Sequence, residues 1–358
     1  MKKVILVLIG IALIVAIGGG IWFWNAMQQP LYEPGMVRAG KNLQASLVPP
    51  AQSADKNYWL VENNIRLFHF AKGSGENVLV VHGGPGFPLT EPVAGLDSLT
   101  STFRFHYYDQ RGCGKSSRPI DRFSSSNYLE NMQTLDRTLG LGAQIADIER
   151  IRQILGEEKI ILIGHSFGGF ITSLYAAEFP EHVKGLILVA PAEMLVMPPE
   201  SGGLYEQVKP LLPDSMKSRY DDYLKRYFDY GSLFSKSEAD LAALNREFVP
   251  YYQAAVQAKG FSIPPSNAPD DNGGWMVQAM FFSIGMKHDY RAALKPVTAP
   301  VLVIHGANDL QPEKASRMYS DLFPNAEFHV IQNAGHFSFE EQPREFGQVV
   351  GEFLNKLR

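Results

Sequence analysis

Lys159-Ile-Ile-Leu-Ile163 runs straight into Gly164-His165-Ser166-Phe167-Gly168, and a helical pattern follows. An apolar, β-branched run of that length is a buried strand. A strand, a Gly-x-Ser-x-Gly turn and a helix in that order build a sharp elbow that lifts a serine hydroxyl clear of the backbone. Glycines flank the serine because a β-carbon there would meet the neighbouring strand and helix. The turn also aims the Phe167 N–H and the start of the helix at negative charge developing beside Ser166. The pentapeptide alone recurs by chance; its strand–turn–helix setting gives it weight.

Working outward, residues 58–61 and 65–70 flank Glu62-Asn63-Asn64 and predict a hairpin. Residues 78–81, 103–108, 160–163, 185–189, 301–304 and 326–331 read as further strands, with helices over 139–155 and 166–178. Continuous apolar strands alternating with helices predict an α/β architecture, a mostly parallel sheet covered on both faces. Between residues 192 and 291 the alternation stops, and Tyr220, Tyr223, Tyr227, Phe228 and Tyr230 crowd one part. A block of that size between two sheet strands predicts a helical cap over the strand ends, its aromatics mainly packing the cap's own core. The expected organisation is residues 1–25 an anchor, 26–56 a Pro-bearing linker, 57–191 the first half of the core, 192–291 the cap and 292–358 the second half.

The 358 residues carry a net charge of −4, and 45% are hydrophobic. That is ample for a large core, and no basic field argues for nucleic acid. Cys113 is the sole cysteine, so no internal disulfide forms. Residues 4–24 contain no charge, follow Lys2-Lys3 and end at Trp22 and Trp24. About twenty apolar residues span a hydrocarbon core, and lysines before the span with aromatics after it predict a single-pass anchor with the catalytic part on the extracytoplasmic side. The alternative is a signal peptide cleaved near Gly18-Gly19-Gly20, releasing a secreted domain.

A serine hydroxyl needs a base within hydrogen-bond reach and a carboxylate to orient that base. Residues 301–304 lead into a turn presenting Asp309, and residues 326–331 lead into a loop presenting His336 after Gly335. The order Ser, Asp, His is the one expected with a serine on such an elbow. Ser166 is the expected nucleophile, His336 the general acid and base, and Asp309 the orienting carboxylate. His305 and His329 fall inside strand patterns and are expected to pack. His82-Gly83-Gly84-Pro85-Gly86 follows the strand at 78–81, and glycines there let backbone N–H groups approach a carbonyl oxygen. The oxyanion donors are assigned to the Gly84 and Phe167 N–H groups; Pro85 has none to give. Asp109-Gln110-Arg111-Gly112-Cys113-Gly114-Lys115-Ser116 ends like a phosphate loop but has Asp where the first glycine is required. It reads as a structural turn, with Arg111 bridging loops near the site. No cluster has metal-ligand spacing, and no cofactor motif is complete.

These motifs in this order resemble the α/β-hydrolase superfamily, and more closely the proline iminopeptidases. The resemblance covers residues 57–191 and 292–358 and leaves out the cap. It implies the α/β-hydrolase fold and a cofactor-free serine hydrolase that releases N-terminal residues, preferentially proline, from short peptides. At the elbow, His165 and Phe167 stand where that family usually has Gly and Trp, closer to esterase-type elbows. Aminopeptidase relatives pair the substrate ammonium with cap glutamates, because that charge must be paired once desolvated. Glu193, Glu200, Glu206, Glu238 and Glu247 are available here. The alternatives are a carboxylesterase or lactonase on the same machinery, and a receptor-like binding protein with negligible turnover.

Overall fold

The computed structural model describes residues 28–264 and 271–358. The strands are β1 (Tyr58–Glu62), β2 (Ile65–Gly73), β3 (Glu76–Val81), β4 (Phe103–Tyr108), β5 (Ile160–His165), β6 (Val183–Val189), β7 (Val196–Met197), β8 (His288–Asp289), β9 (Val301–Gly306) and β10 (Ala326–Ile331). Eight of them form one sheet in the order β1-β2-β4-β3-β5-β6-β9-β10. The β1–β2 hairpin is antiparallel, as is β2 against β4, and the remaining neighbours run parallel. β7 and β8 pair separately as a short ribbon.

The strands are apolar on both faces because both are covered. Leu79, Val81, Leu162, Leu186 and Leu188 point into one core, and Val78, Val80, Ile161, Ile163 and Ile187 into the other. Successive side chains of a strand face opposite ways, so a one-residue slip would exchange the two sets. The first core packs under α1 (Tyr128–Leu139), α2 (Leu141–Leu155) and α3 (Phe167–Glu178). The second packs against the C-terminal helix Pro343–Lys356 through Phe346, Val350, Phe353 and Leu354.

The helix expected over 139–155 is observed as Leu141–Leu155, and a helix not expected from the sequence, Tyr128–Leu139, precedes it, the two meeting at Gly140. Gly140 is extended (φ −67°, ψ 179°), and a Cβ on it would overlap the Asp136 carboxylate and Ser283 Oγ. Residues 192–291 divide in two. Helices α4 (Asp214–Tyr227), α5 (Glu238–Arg246) and α6 (Val249–Ala258) contribute to a separate aromatic cluster that includes Tyr220, Tyr223 and Tyr227. The last helix, α7 (Trp275–Ile284), packs instead against α1 and α2, with Trp275 and Met276 fully buried in the main core.

The anchor expected at residues 1–25 lies outside the described residues. Among the described residues no helix is long and apolar enough to cross a membrane. Beyond it, the stretch expected as a linker is a strap fastened to the core. Tyr32 and Val37 are buried. The Glu178 carboxylate, at the end of α3, accepts from the Tyr32 hydroxyl (2.9 Å), the Gly35 N–H (2.8 Å) and the Arg38 N–H (3.0 Å). Arg150 donates to the carbonyls of Ala45 and Ser46 further along.

Candidate active site

Ser166 sits between β5 and α3 with φ 53° and ψ −120°, a conformation L side chains rarely adopt. The surrounding glycines explain how the strain is held. A Cβ on Gly168 would come within 2.6 Å of the His82 carbonyl oxygen and overlap that of Val81, and one on Gly164 would lie 2.6 Å from the Gly168 carbonyl oxygen. The elbow is therefore wedged against the end of β3, and such local strain persists only where its surroundings over-determine it.

Asp309 lies in the turn after β9 and His336 in the loop after β10, both at the carboxyl ends of parallel strands, as β5 delivers Ser166. His336 Nδ1 and Asp309 Oδ2 are 2.8 Å apart. The Asp309 side chain is 1% exposed and that of His336 is 14% exposed. The other Asp309 oxygen accepts the Gln311 N–H at 3.0 Å. Burial lowers the pKa of His336, but the charge and hydrogen bond of Asp309 outweigh it, so the imidazole titrates above its ordinary range. Burial likewise raises Asp309, and the contact with His336 more than offsets this, leaving the carboxyl below its usual range. Ser166 and His336 line one cavity of about 380 Å³, with Gly83, Gly84 and Pro85 on its wall.

The loop after β3 packs onto the elbow: a Cβ on Gly83 would lie 2.8 Å from Ser166 Cβ. Gly84 has φ +116°. The Phe167 N–H is at the first position of α3, where no intrahelical acceptor exists, while its side chain turns into the core. Gly84 lines the same cavity as Ser166, and Phe167 follows the serine directly.

Three positioning residues escaped the sequence. Gln110 donates through Nε2 to the His82 carbonyl (2.8 Å) and through its N–H to His82 Nε2 (3.1 Å), tying the Asp109–Ser116 turn to the glycine loop. Accepting that N–H requires Nε2 of His82 to be unprotonated, and burial holds the ring neutral with a pKa of about 4. His165 donates from Nε2 to the His336 carbonyl oxygen at 2.9 Å. Glu341 accepts the Gly335 N–H at 2.6 Å, bracing the turn before the imidazole. The first two are contacts between segments far apart in the chain; the third, six residues apart, is a side chain reaching back to its own turn, and none has a local pattern to announce it.

Arg111 does not bridge loops at the cavity. It is wholly buried beneath the sheet edge, donating to Asp147 and Glu62, and Arg150 shares both carboxylates. Gln110, its neighbour, does the bridging instead. Cys113 is buried, and burial pushes its thiol pKa up. His305 packs against Ser316 (3.0 Å), whereas His329 is 39% exposed and faces Glu345, so only the first is a packing histidine.

The five candidate glutamates fall elsewhere. Glu238 binds Arg118 and the Gly274 and Trp275 N–H groups. Glu247 pairs with Arg226, and Glu193 accepts from Ser201. Glu200 and Glu206 are exposed. None lines the cavity, and among the described residues no other Asp or Glu does. Its far wall is apolar and aromatic, with Tyr205, Tyr227, Phe248 and Tyr252. Tyr223 and Tyr227 serve both the cap core and this wall.

An elbow serine, a carboxylate-backed histidine and an open backbone pocket at the strand ends define an α/β hydrolase. The chain belongs to the alpha/beta hydrolase fold family, which it matches over residues 76–343. A proline iminopeptidase of Heyndrickxia coagulans is 28% identical over 290 residues, 80% of this chain and 92% of that one. Two solved structures share the fold: a proline iminopeptidase of Mycobacterium smegmatis (TM-score 0.54, 18% identity, covering 82% of this chain and 96% of that one) and a thermophilic esterase of Thermogutta terrifontis (0.53, 22%, 86% and 99%).

Proposed function

We propose that this protein is a serine hydrolase working through an acyl-enzyme. Ser166 attacks an acyl carbonyl as His336 takes its proton. Asp309 holds the imidazole in its tautomer and stabilises the imidazolium, and the Gly84 and Phe167 N–H groups receive the oxyanion. His336 then protonates the leaving group and activates the water that frees the acid. The observation that carries this is the 2.8 Å His336–Asp309 contact behind a cavity that Ser166 also lines.

The preferred substrate carries a neutral acyl group, as for a carboxylesterase. The support is the wall without a described carboxylate, since an unpaired ammonium is costly to desolvate. The second reading, release of N-terminal proline from short peptides, rests on the likeness to the Heyndrickxia coagulans proline iminopeptidase. Residues 1–25 are proposed to anchor the chain in the membrane with the catalytic domain outside the cytoplasm.

A fluorophosphonate probe tests the chemistry. It should label the wild type and Cys113→Ala but not Ser166→Ala; an unlabelled wild type would leave a binding protein without turnover. A panel of acyl esters and amino-acyl arylamides then decides the substrate, faster turnover of proline arylamide restoring the iminopeptidase reading.

A further inference from the structure

Five large apolar side chains are conspicuously exposed among the described residues: Val48, Leu129, Leu204, Phe228 and Met286. Three of them lie along one path. Leu204 stands on the cavity wall at 41% exposure, next to Tyr205, another wall residue. The Tyr205 ring is 5.3 Å from that of Phe228, and Phe228 is 6.3 Å from Phe281. Phe281 lies in the last turn of α7, where its carbonyl accepts the Gly285 N–H at 2.9 Å. Met286 follows, 58% exposed, and its N–H donates to the Gln28 carbonyl at 2.9 Å.

Gln28 is where the described chain begins, and the uncharged run of residues 4–24 lies just before it. In the sequence only residues 25–27 separate that run from Gln28, whose carbonyl Met286 contacts. The apolar path therefore joins the cavity mouth to the point where a membrane-spanning length of chain attaches. An apolar path facing water gains nothing, whereas against hydrocarbon its exposed area is removed from water.

We propose that this face rests on the bilayer into which the N-terminal segment inserts, and that the substrate is an amphiphilic long-chain acyl ester or amide entering the cavity from the acyl region of that bilayer. The substrate half of this rests on the hydrolase reading above, and the membrane contact on the proposed anchor at residues 1–25. The occupant is the lipid surface, because an anchored chain holds the mouth beside it continuously.

The test uses the full chain reconstituted in phosphatidylcholine vesicles. Phe228→Cys, Met286→Cys and Val48→Cys are each labelled with an environment-sensitive fluorophore; the buried Cys113 stays unlabelled. Val48, on the strap just past the Ser46 carbonyl that Arg150 holds, has no part in the path of contacts above and serves as the control position. The expected result is a blue shift and quenching by doxyl-labelled lipid at 228 and 286, and neither at 48. Water-like emission at 228 and 286, equal quenching at all three positions, or a blue shift without lipid quenching, as in a dimer or self-covered face, would overturn the proposal. In parallel, Phe228→Glu with Met286→Glu should slow hydrolysis of a vesicle-embedded long-chain ester by roughly tenfold or more, since one such burial is worth that much. A water-soluble short-chain ester should be cut at the wild-type rate. Lipid quenching with no fluorophosphonate labelling would keep the membrane contact and sink the hydrolase; labelling without quenching would do the reverse.

Discussion

The Nε2 of His165 lies 2.9 Å from the carbonyl oxygen of His336, so the residue before the elbow serine holds the loop that presents the imidazole. A carbonyl oxygen only accepts, so His165 must carry its proton on Nε2. Its ring also stands 4.9 Å edge-on from Phe339, which shields it from solvent.

Replacing His165 with Leu keeps most of the bulk and removes the donor. His165→Leu should lower kcat by about ten- to a hundredfold, the scale of a small misplacement of a reacting group, with KM for a short ester little changed. Equal kcat in the two proteins would show that the hydrogen bond does no positioning.

The pH profile should have one acid limb belonging to His336. The base must be neutral to take the serine proton, so activity falls as pH drops through its raised pKa. His165, pushed down to about 3 by burial and by the neighbouring His336, contributes no limb near neutrality. Asp309→Asn removes the charge that raises His336, so the limb should move to lower pH while kcat falls about 10⁴-fold. Glu341 also raises His336 and remains in that variant, so the shift should be partial. A limb that stays in place would separate Asp309 from the titration.

Arg111 should matter for stability. Removing it leaves the buried carboxylates of Glu62 and Asp147 with Arg150 alone. Breaking such a buried cluster costs about 3–5 kcal/mol. Arg111→Ala should therefore shift the urea midpoint strongly downward; a shift within error would mean that water or rearrangement compensates the charges.

The strap offers a separate test. In Glu178→Gln the amide nitrogen must face an N–H donor that the carboxylate now accepts. The loss should be about 1–3 kcal/mol, the range for hydrogen bonds to a charged group and for a donor left unpaired. Limited proteolysis should then cut within residues 33–41 faster than in the wild type. Unchanged cleavage would show that Tyr32 and Val37 hold the strap alone.

The sheet, the elbow and the order of Ser166, Asp309 and His336 were legible in the chain because their signals are local. Apolar runs announce strands buried on both faces, and glycines announce turns that no other residue could make, as the close approach of Gly168 to the end of β3 bears out. Partner choice was not legible. Nothing near Arg111 says that it turns to Asp147, 36 residues on, and leaves the glycine loop to Gln110. Nor does anything near Tyr32 say that it meets Glu178, 146 residues away. The candidate glutamates look alike in sequence, and only the packed cap directs each to an arginine, an N–H group or solvent, away from the cavity. A charged or polar side chain takes whichever partner the folded backbone brings within about 3 Å, and that is settled by contacts between distant segments.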